Sequence, residues 1–438
     1  MGTAGVSGTR LLRVLGAAFA VAAVVGGTIG QGILRTPGLV AAAVPDATLI
    51  LALWLVGGAI AAVDACSTVE LGASTGEAGG PFAFVRRAFG PVAGLAAGLA
   101  DWLGNLGAVA FIAVVFAEYL GRLKIDGGLP IPVLSVLLIA IMFALQWRGT
   151  KSAARAQEAG SALKAVLFMG LIAVLAFARG DPQGPAAASP SGVITLAAGI
   201  AALRAVYGTY YGWNSAAYFA EELRNPRGLV RGTFVGIALV TAVFVGLNAA
   251  MLHVLTPAQM AGSTLVAADA AGRVMGARAD TGMTVVSLVS LVTILGVMLM
   301  FLPRILFAMG RSFGVERLAG VAEGGTPRAA LAATAIGGAL LALVGVYETL
   351  LAFSAVLLAM VGVAVNLAAI VLRRREPALE RPWKMPLFPL PAIFSAFVNT
   401  ALVVAFIVED PMTSLSAIAA MAVLLVVIVP LLRRHARG

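Results

Sequence analysis

Apolar runs of about 17 to 25 residues, the length an α-helix needs to cross a bilayer, recur from one end of this chain to the other. Such a pattern makes lipid the solvent. Only 11% of the 438 residues are charged and 61% are hydrophobic, where soluble domains carry about a quarter charged residues. Polar punctuation divides the chain into twelve apolar segments, the first six near residues 14–40, 47–70, 92–120, 130–147, 158–179 and 195–222. The other six lie near 230–254, 282–305, 328–346, 349–372, 388–408 and 412–432. The expected architecture is all-α, twelve transmembrane helices in one integral membrane domain.

An even number of spans puts both termini on one side. The loops of that side hold 21 lysines and arginines against 5 on the other, with Arg35, Lys164, Arg204 and Arg304 inside spans. The excess marks it as the cytoplasmic side. The net charge of +10 therefore reflects topology, and nucleic acid is excluded as a partner. Arg10 and Arg13 before an apolar stretch resemble a signal peptide, but no small-residue cleavage site precedes Arg35, so this stretch reads as the first span. The single cysteine, Cys66, excludes an internal disulfide. Arginine outnumbers lysine 26 to 4, which suggests a GC-rich bacterial genome and hence a cytoplasmic (inner) membrane.

Two segments are interrupted. VVGGTIGQGILRTPG, Val24 to Gly38, breaks the first, and YGTYYGWN, Tyr207 to Asn214, breaks the sixth. Five spans separate the starts of these segments, and an odd number inverts the second relative to the first. Matching breaks in opposite orientations point to a transporter built from inverted repeats. Unwound backbone cannot face lipid, but it can face a substrate or a watery cavity. The positive end of the helix that resumes after the break suits an anion such as a carboxylate. Gly94 and Gly98 are read instead as helix-packing positions.

Lys164 lies inside the fifth segment, at an insertion cost of about 2.5 to 3.5 kcal/mol. Snorkelling to the cytoplasmic surface is the plain alternative to a functional role. Asp64 and Asp101 are further intramembrane acids that could pair with Lys164, relay protons or bind a cationic substrate. Glu221 and Glu222, followed by Arg224 and Arg227, read as a helix-end network. His253 and His435 are too few and too far apart for a metal site. No nucleophile–base motif, zinc motif or phosphate-binding loop occurs, so neither an enzyme nor a nucleotide-driven pump is expected, and no cofactor is implied.

Four stretches together resemble the amino acid permeases of the amino acid–polyamine–organocation superfamily: GGTIGQGILRTPG, ELGASTGEAGGPFAFVRRAFGPVAG, YGTYYGWNSAAYFAEELRNPRG and RRREPALERPWKMPLFPLP. The third is most similar to the L-type amino acid transporter branch. The resemblance implies a LeuT-type fold: two inverted five-helix repeats, here 14–179 and 195–372, two peripheral helices at 388–432, and an amino acid held between broken helices 1 and 6. Carried over residue by residue, it implies that Gly30, Gln31 and Gly32 bind the substrate carboxylate beside Thr28. Carbonyls near Gly26, Gly27 and Tyr207 receive its ammonium, and Tyr210, Tyr211, Trp213 and Asn214 line and gate the side-chain pocket. The match departs at Gly208, where L-type relatives carry a gating phenylalanine, and at Tyr211-Gly212, where they carry paired glycines.

The fifth helix, SALKAVLFMGLIAVL, is similar to one in which a lysine occupies the cation position of sodium-coupled relatives, so Lys164, with Asp101, is the expected coupling group and sodium is not required. Arg35, two residues before Pro37, matches the spacing of an outer-gate arginine, with Glu348 as its expected partner and Glu118 as the alternative. The resemblance thus implies secondary active or exchange transport of amino acids by alternating access. A polyamine or cationic amino acid exchanger and a non-transporting membrane sensor are the alternatives.

Overall fold

The computed structural model describes residues 6–8, 10–30, 32–178, 195–263, 265–276, 279–344 and 347–435, without the side chains of 6–8, 344, 347–348 and 431–435. Its helices are α1 Ala17–Thr28, α2 Gly32–Ala43, α3 Ala47–Thr75, α4 Pro81–Phe89, α5 Pro91–Arg122, α6 Ile131–Trp147, α7 Thr150–Ala176, α8 Leu196–Tyr210 and the 3-10 helix η1 Trp213–Phe219. They continue with α9 Pro226–Val254, α10 Pro257–Ala261, α11 Val266–Met275, α12 Ala279–Phe313, α13 Glu316–Ala319, α14 Arg328–Val344, α15 Tyr347–Arg375, α16 Leu390–Glu409 and α17 Pro411–His435. The only strands among the described residues are Val6–Gly8 and Val321–Ala322, paired antiparallel.

Each expected segment coincides with a helix, or with two helices where a break was expected. Eight helices are long and apolar enough to cross a membrane, and α1 with α2, bent by 51° at their junction, make a ninth candidate. Helices α6 and α14 are apolar but shorter. Prolines open α4, α5, α9 and α10, in a first turn where a missing N–H costs nothing, whereas Pro37, Pro303 and Pro430 lie inside α2, α12 and α17. The asparagine-proline of the third stretch is such a start: Asn225 accepts from the Arg227 N–H at 2.9 Å, capping α9. Helices α4, α10, α11 and α13 were not expected. They are short helices in the connections after α3, after α9 and after α12.

Helix α1 packs against α7, α9, α12 and η1 at the centre of the bundle. It buries Phe19, Ala20, Ala22, Ala23, Val24 and Val25, side chains that point to every side, as expected of a helix apolar all round. The apolar windows of α16 and α17 are 17% buried against 78% for α5, so those two helices form the edge.

Candidate functional site

The two interruptions meet. Helix α1 loses its ladder at Ile29, whose N–H still reaches the Val25 carbonyl, and α2 resumes at Gly32. In the sixth segment α8 ends at Tyr210, and Gly212, with φ of +121°, turns the chain into η1. A methyl group added at Gly212 would lie 2.5 Å from the Gly27 carbonyl oxygen, and one at Gly27 would lie 2.6 Å from Ser215 Oγ. Only glycine at both positions lets the backbones cross this closely. Gly32 faces Thr209 of α8, whose Cγ2 would be 2.9 Å from an added methyl, and a methyl at Gly30 would strike Ile294 of α12. Gln31 lies outside the described residues.

The last-turn carbonyls of α1 have no partner within the helix, and α7 supplies one. Lys164 is 1% exposed, and its Nζ donates to the carbonyls of Gly26 at 2.9 Å and Ile29 at 2.6 Å. One turn earlier Ser161 donates to the Ala22 carbonyl at 2.8 Å and receives a bond from Gln157 at 3.3 Å. Gln157, Ser161 and Lys164 follow the i, i+4, i+7 spacing of one helix face, and that stripe is laid along α1. Lys164 therefore does not snorkel, and among the described residues it pairs with neither Asp64 nor Asp101. The Gly26 carbonyl, expected to meet substrate, faces Lys164 instead. Thr28 Oγ1 is buried without a hydrogen-bond partner among the described residues.

The aromatic residues of the sixth segment divide. Tyr207 donates to Asp64 of α3 at 2.6 Å, and Tyr210 to the Trp54 carbonyl of α3 at 2.8 Å, with its ring against Phe244 of α9. Three apart, they share the helix face that packs on α3. Trp213 is buried, while Tyr211 and Asn214 stay half-buried, Asn214 reaching Tyr218 at 3.5 Å. Asp101 of α5 accepts from Tyr218 and Asn105, each at 2.8 Å. Arg35 is exposed and forms no ion pair among the described residues, and the side chain of Glu348 lies outside them. Glu118 is exposed.

One end of the bundle is knit by charge. Glu222 and Arg304 of α12 form a buried pair, with Arg304 also 3.3 Å from Thr150 and stacked 4.7 Å over the Phe219 ring. Glu221 bonds Arg311 at 2.7 Å and accepts from the Ala78 N–H. The glutamates of the third stretch thus tie the end of the sixth segment to α12. Glu70 accepts from Arg373 at 3.0 Å, Arg381 at 3.2 Å and the Met385 N–H at 2.6 Å, joining the second stretch to the fourth. Nearby, the Arg87 guanidinium holds the Glu376 carboxyl below its ordinary range. Gly94 and Gly98 are packing positions, against the Arg86 backbone and against Met309 with Phe82. No cluster of three metal-ligating side chains exists among the described residues.

The Asc-type amino acid transporter 1 of Mus musculus is 29% identical across 91% of this chain and 77% of its own length. The serine/threonine exchanger SteT of Bacillus subtilis (strain 168) is 24% identical across 88% of this chain and 89% of its own. The large neutral amino acids transporter small subunit 2 of Mus musculus is 31% identical across 63% of this chain and 54% of its own. The amino acid permease family model matches residues 15–429, from before the first break to the last helix, and the chain belongs to that family.

Proposed function

We propose that this chain moves neutral amino acids across a bacterial cytoplasmic membrane by alternating access, without sodium, binding them where the two breaks cross. The observation that carries this reading is Lys164 on the Gly26 and Ile29 carbonyls. Its ammonium bridges broken backbone at the place where an ion would otherwise be needed. The substrate carboxylate then meets the amides of Gly30, Gln31 and Gly32 at the start of α2. With two α1 carbonyls taken by Lys164, the substrate ammonium falls to the remaining last-turn carbonyls and the unpartnered Thr28 hydroxyl. Tyr211, Trp213 and Asn214 bound the side-chain pocket, and Arg35 with Glu348 closes the outer mouth.

The same reading counts twelve crossings, taking α6, α14 and α8 with η1 as spans beside the nine longer candidates. Short helices that follow α3 and α9 support an inverted repeat, since they interrupt the two halves at corresponding places. The basic end then lies in the cytoplasm.

Purified protein in liposomes, offered a panel of labelled amino acids from outside, tests the proposal. Uptake of L-serine or L-leucine is expected to be unchanged when potassium or choline replaces sodium, and Lys164→Ala to slow it by about tenfold or more. Sodium-dependent uptake, or full activity of Lys164→Ala, overturns the reading.

A further inference from the structure

Two buried aspartates grip the sixth segment, one on each side of its break. Before Gly212, Tyr207 donates to Asp64, and after it, Tyr218 donates to Asp101. The two acids are served differently. Asp64 has donors on both oxygens: Tyr207 on Oδ2, and Asn366 at 3.1 Å and Asn399 at 3.4 Å on Oδ1. That shell suits a carboxylate, whose oxygens are equivalent acceptors. Asp101 is 0% exposed, and both of its donors, Tyr218 and Asn105, converge on Oδ1, while Oδ2 is buried with no partner among the described residues. With Oδ2 unpartnered, a neutral acid leaves one hydroxyl without an acceptor, whereas a carboxylate leaves half of a charged shell unmet, and the neutral form is the cheaper of the two. An ionised group with half its shell missing would be far costlier in this setting.

The titratable side chains facing Asp101 are Tyr218 and Tyr211. Among the described residues it makes no ion pair. Arg86 and Arg87 of α4 bond Glu77 and Glu376, Arg304 of α12 bonds Glu222, and Arg375 of α15 bonds the Ala88 carbonyl. Tyr218 itself is fixed by stacking on Phe301 of α12, 4.4 Å between centroids. In this conformation η1 holds Tyr218 on Oδ1, and no donor among the described residues reaches Oδ2.

We propose, building on the transport reading above, that Asp101 carries a proton in this conformation and gives it up only when η1 moves. Net amino acid passage is then accompanied by one proton. The proton binds Oδ2 from the solution on one side and leaves to the other, after which the carboxylate takes a new one. Asp64 stays charged throughout and anchors α8.

The test uses the full chain in liposomes, with pyranine inside as the pH indicator and L-serine and L-leucine as probes. Wild-type protein should acidify the lumen when either amino acid is added outside, and should also exchange labelled for unlabelled amino acid in counterflow. Asp101→Asn should lose at least about tenfold of the acidification while counterflow falls far less, and Asp101→Glu should keep both in part. Asp64→Asn should leave acidification in proportion to counterflow. Wild-type counterflow without acidification overturns the proposal whatever the variants do. Acidification kept by Asp101→Asn, or lost only with Asp64→Asn, also overturns it. Absence of wild-type counterflow would instead remove the transport reading on which it stands.

Discussion

At the scale of single residues, the crossing of Gly27 and Gly212 decides whether the two breaks can touch. Gly212 combines a left-handed φ of +121° with a carbonyl 2.5 Å from where a side chain would begin. Either would be costly for alanine, at about 1 to 3 kcal/mol for the backbone conformation alone. Gly208, four residues earlier, has nothing within 4 Å of an added methyl and an ordinary helical conformation. Gly212→Ala should therefore abolish amino acid binding and lower the thermal midpoint in detergent, while Gly208→Ala leaves both near wild type. Equal effects of the two substitutions would show that the crossing does not govern the site. Glycines, a threonine and a proline mark the first segment as something other than a plain apolar helix, and the chain there runs as two helices, Ala17–Thr28 and Gly32–Ala43. What touches the breaks was not legible. Lys164 could be recognised as a costly intramembrane charge, but its acceptors lie 138 and 135 residues earlier in the chain. Tyr210 was expected in the pocket because it belongs to a recognisable motif. The i, i+3 spacing from Tyr207 was the available sign that both turn towards α3.

Between elements, the charged end of the bundle shows how distant stretches specify one another. Glu70 and Arg381 are 311 residues apart, and no local pattern says that they meet. The residue types were readable, but their pairing depends on how the α15–α16 connection docks on α3. Segment positions were legible because hydrophobic length and proline starts are local properties, whereas α4, α10, α11 and α13 were missed because short helices hide in polar connections. The Glu222–Arg304 pair, 0% and 3% exposed at the side chains, is the place where pairing matters most. Glu222→Gln leaves a guanidinium buried without its counter-charge, a change that costs about 3 to 5 kcal/mol when one partner of a buried pair is removed. Arg304 keeps its contacts with Thr150 and Phe219, which places the expected loss at the lower end of that range. Replacing both, as Glu222→Leu with Arg304→Met, should recover much of the stability, since well-packed apolar residues often match a buried pair. Detergent unfolding midpoints of the single and double variants check this. A double variant no more stable than Glu222→Gln would mean that the pair adds stability beyond its packing.

For the whole molecule, the number of crossings separates a twelve-span transporter from a bundle in which the shorter apolar helices merely lie among the long ones. Three elements carry the difference: α6, α8 with η1, and α14. The native Cys66 is buried at 7% exposure, so Cys66→Ala gives a background for labelling with a membrane-impermeant maleimide. Exposed positions flank each element in turn: Ile125 and Arg148 around α6, Phe177 and Arg224 around α8 and η1, Glu323 and Thr349 around α14. If all three cross, cysteines at 125, 177 and 349 react from the outer face of right-side-out vesicles. Those at 148, 224 and 323 then react only in inverted or opened vesicles. The basic side chains near 148 and 224 place that second set in the cytoplasm by the charge rule. The pairs are independent, so the pattern identifies the element that fails. Two cysteines of one pair reacting from the same face would remove that element from the crossings. Loss of the α8–η1 crossing would be the most damaging, because the inverted relation of the two breaks requires it. With that relation gone, Lys164 would still bridge the end of α1, but the sixth segment could no longer present its break from the opposite direction, and alternating access around the crossing would lose its geometric basis.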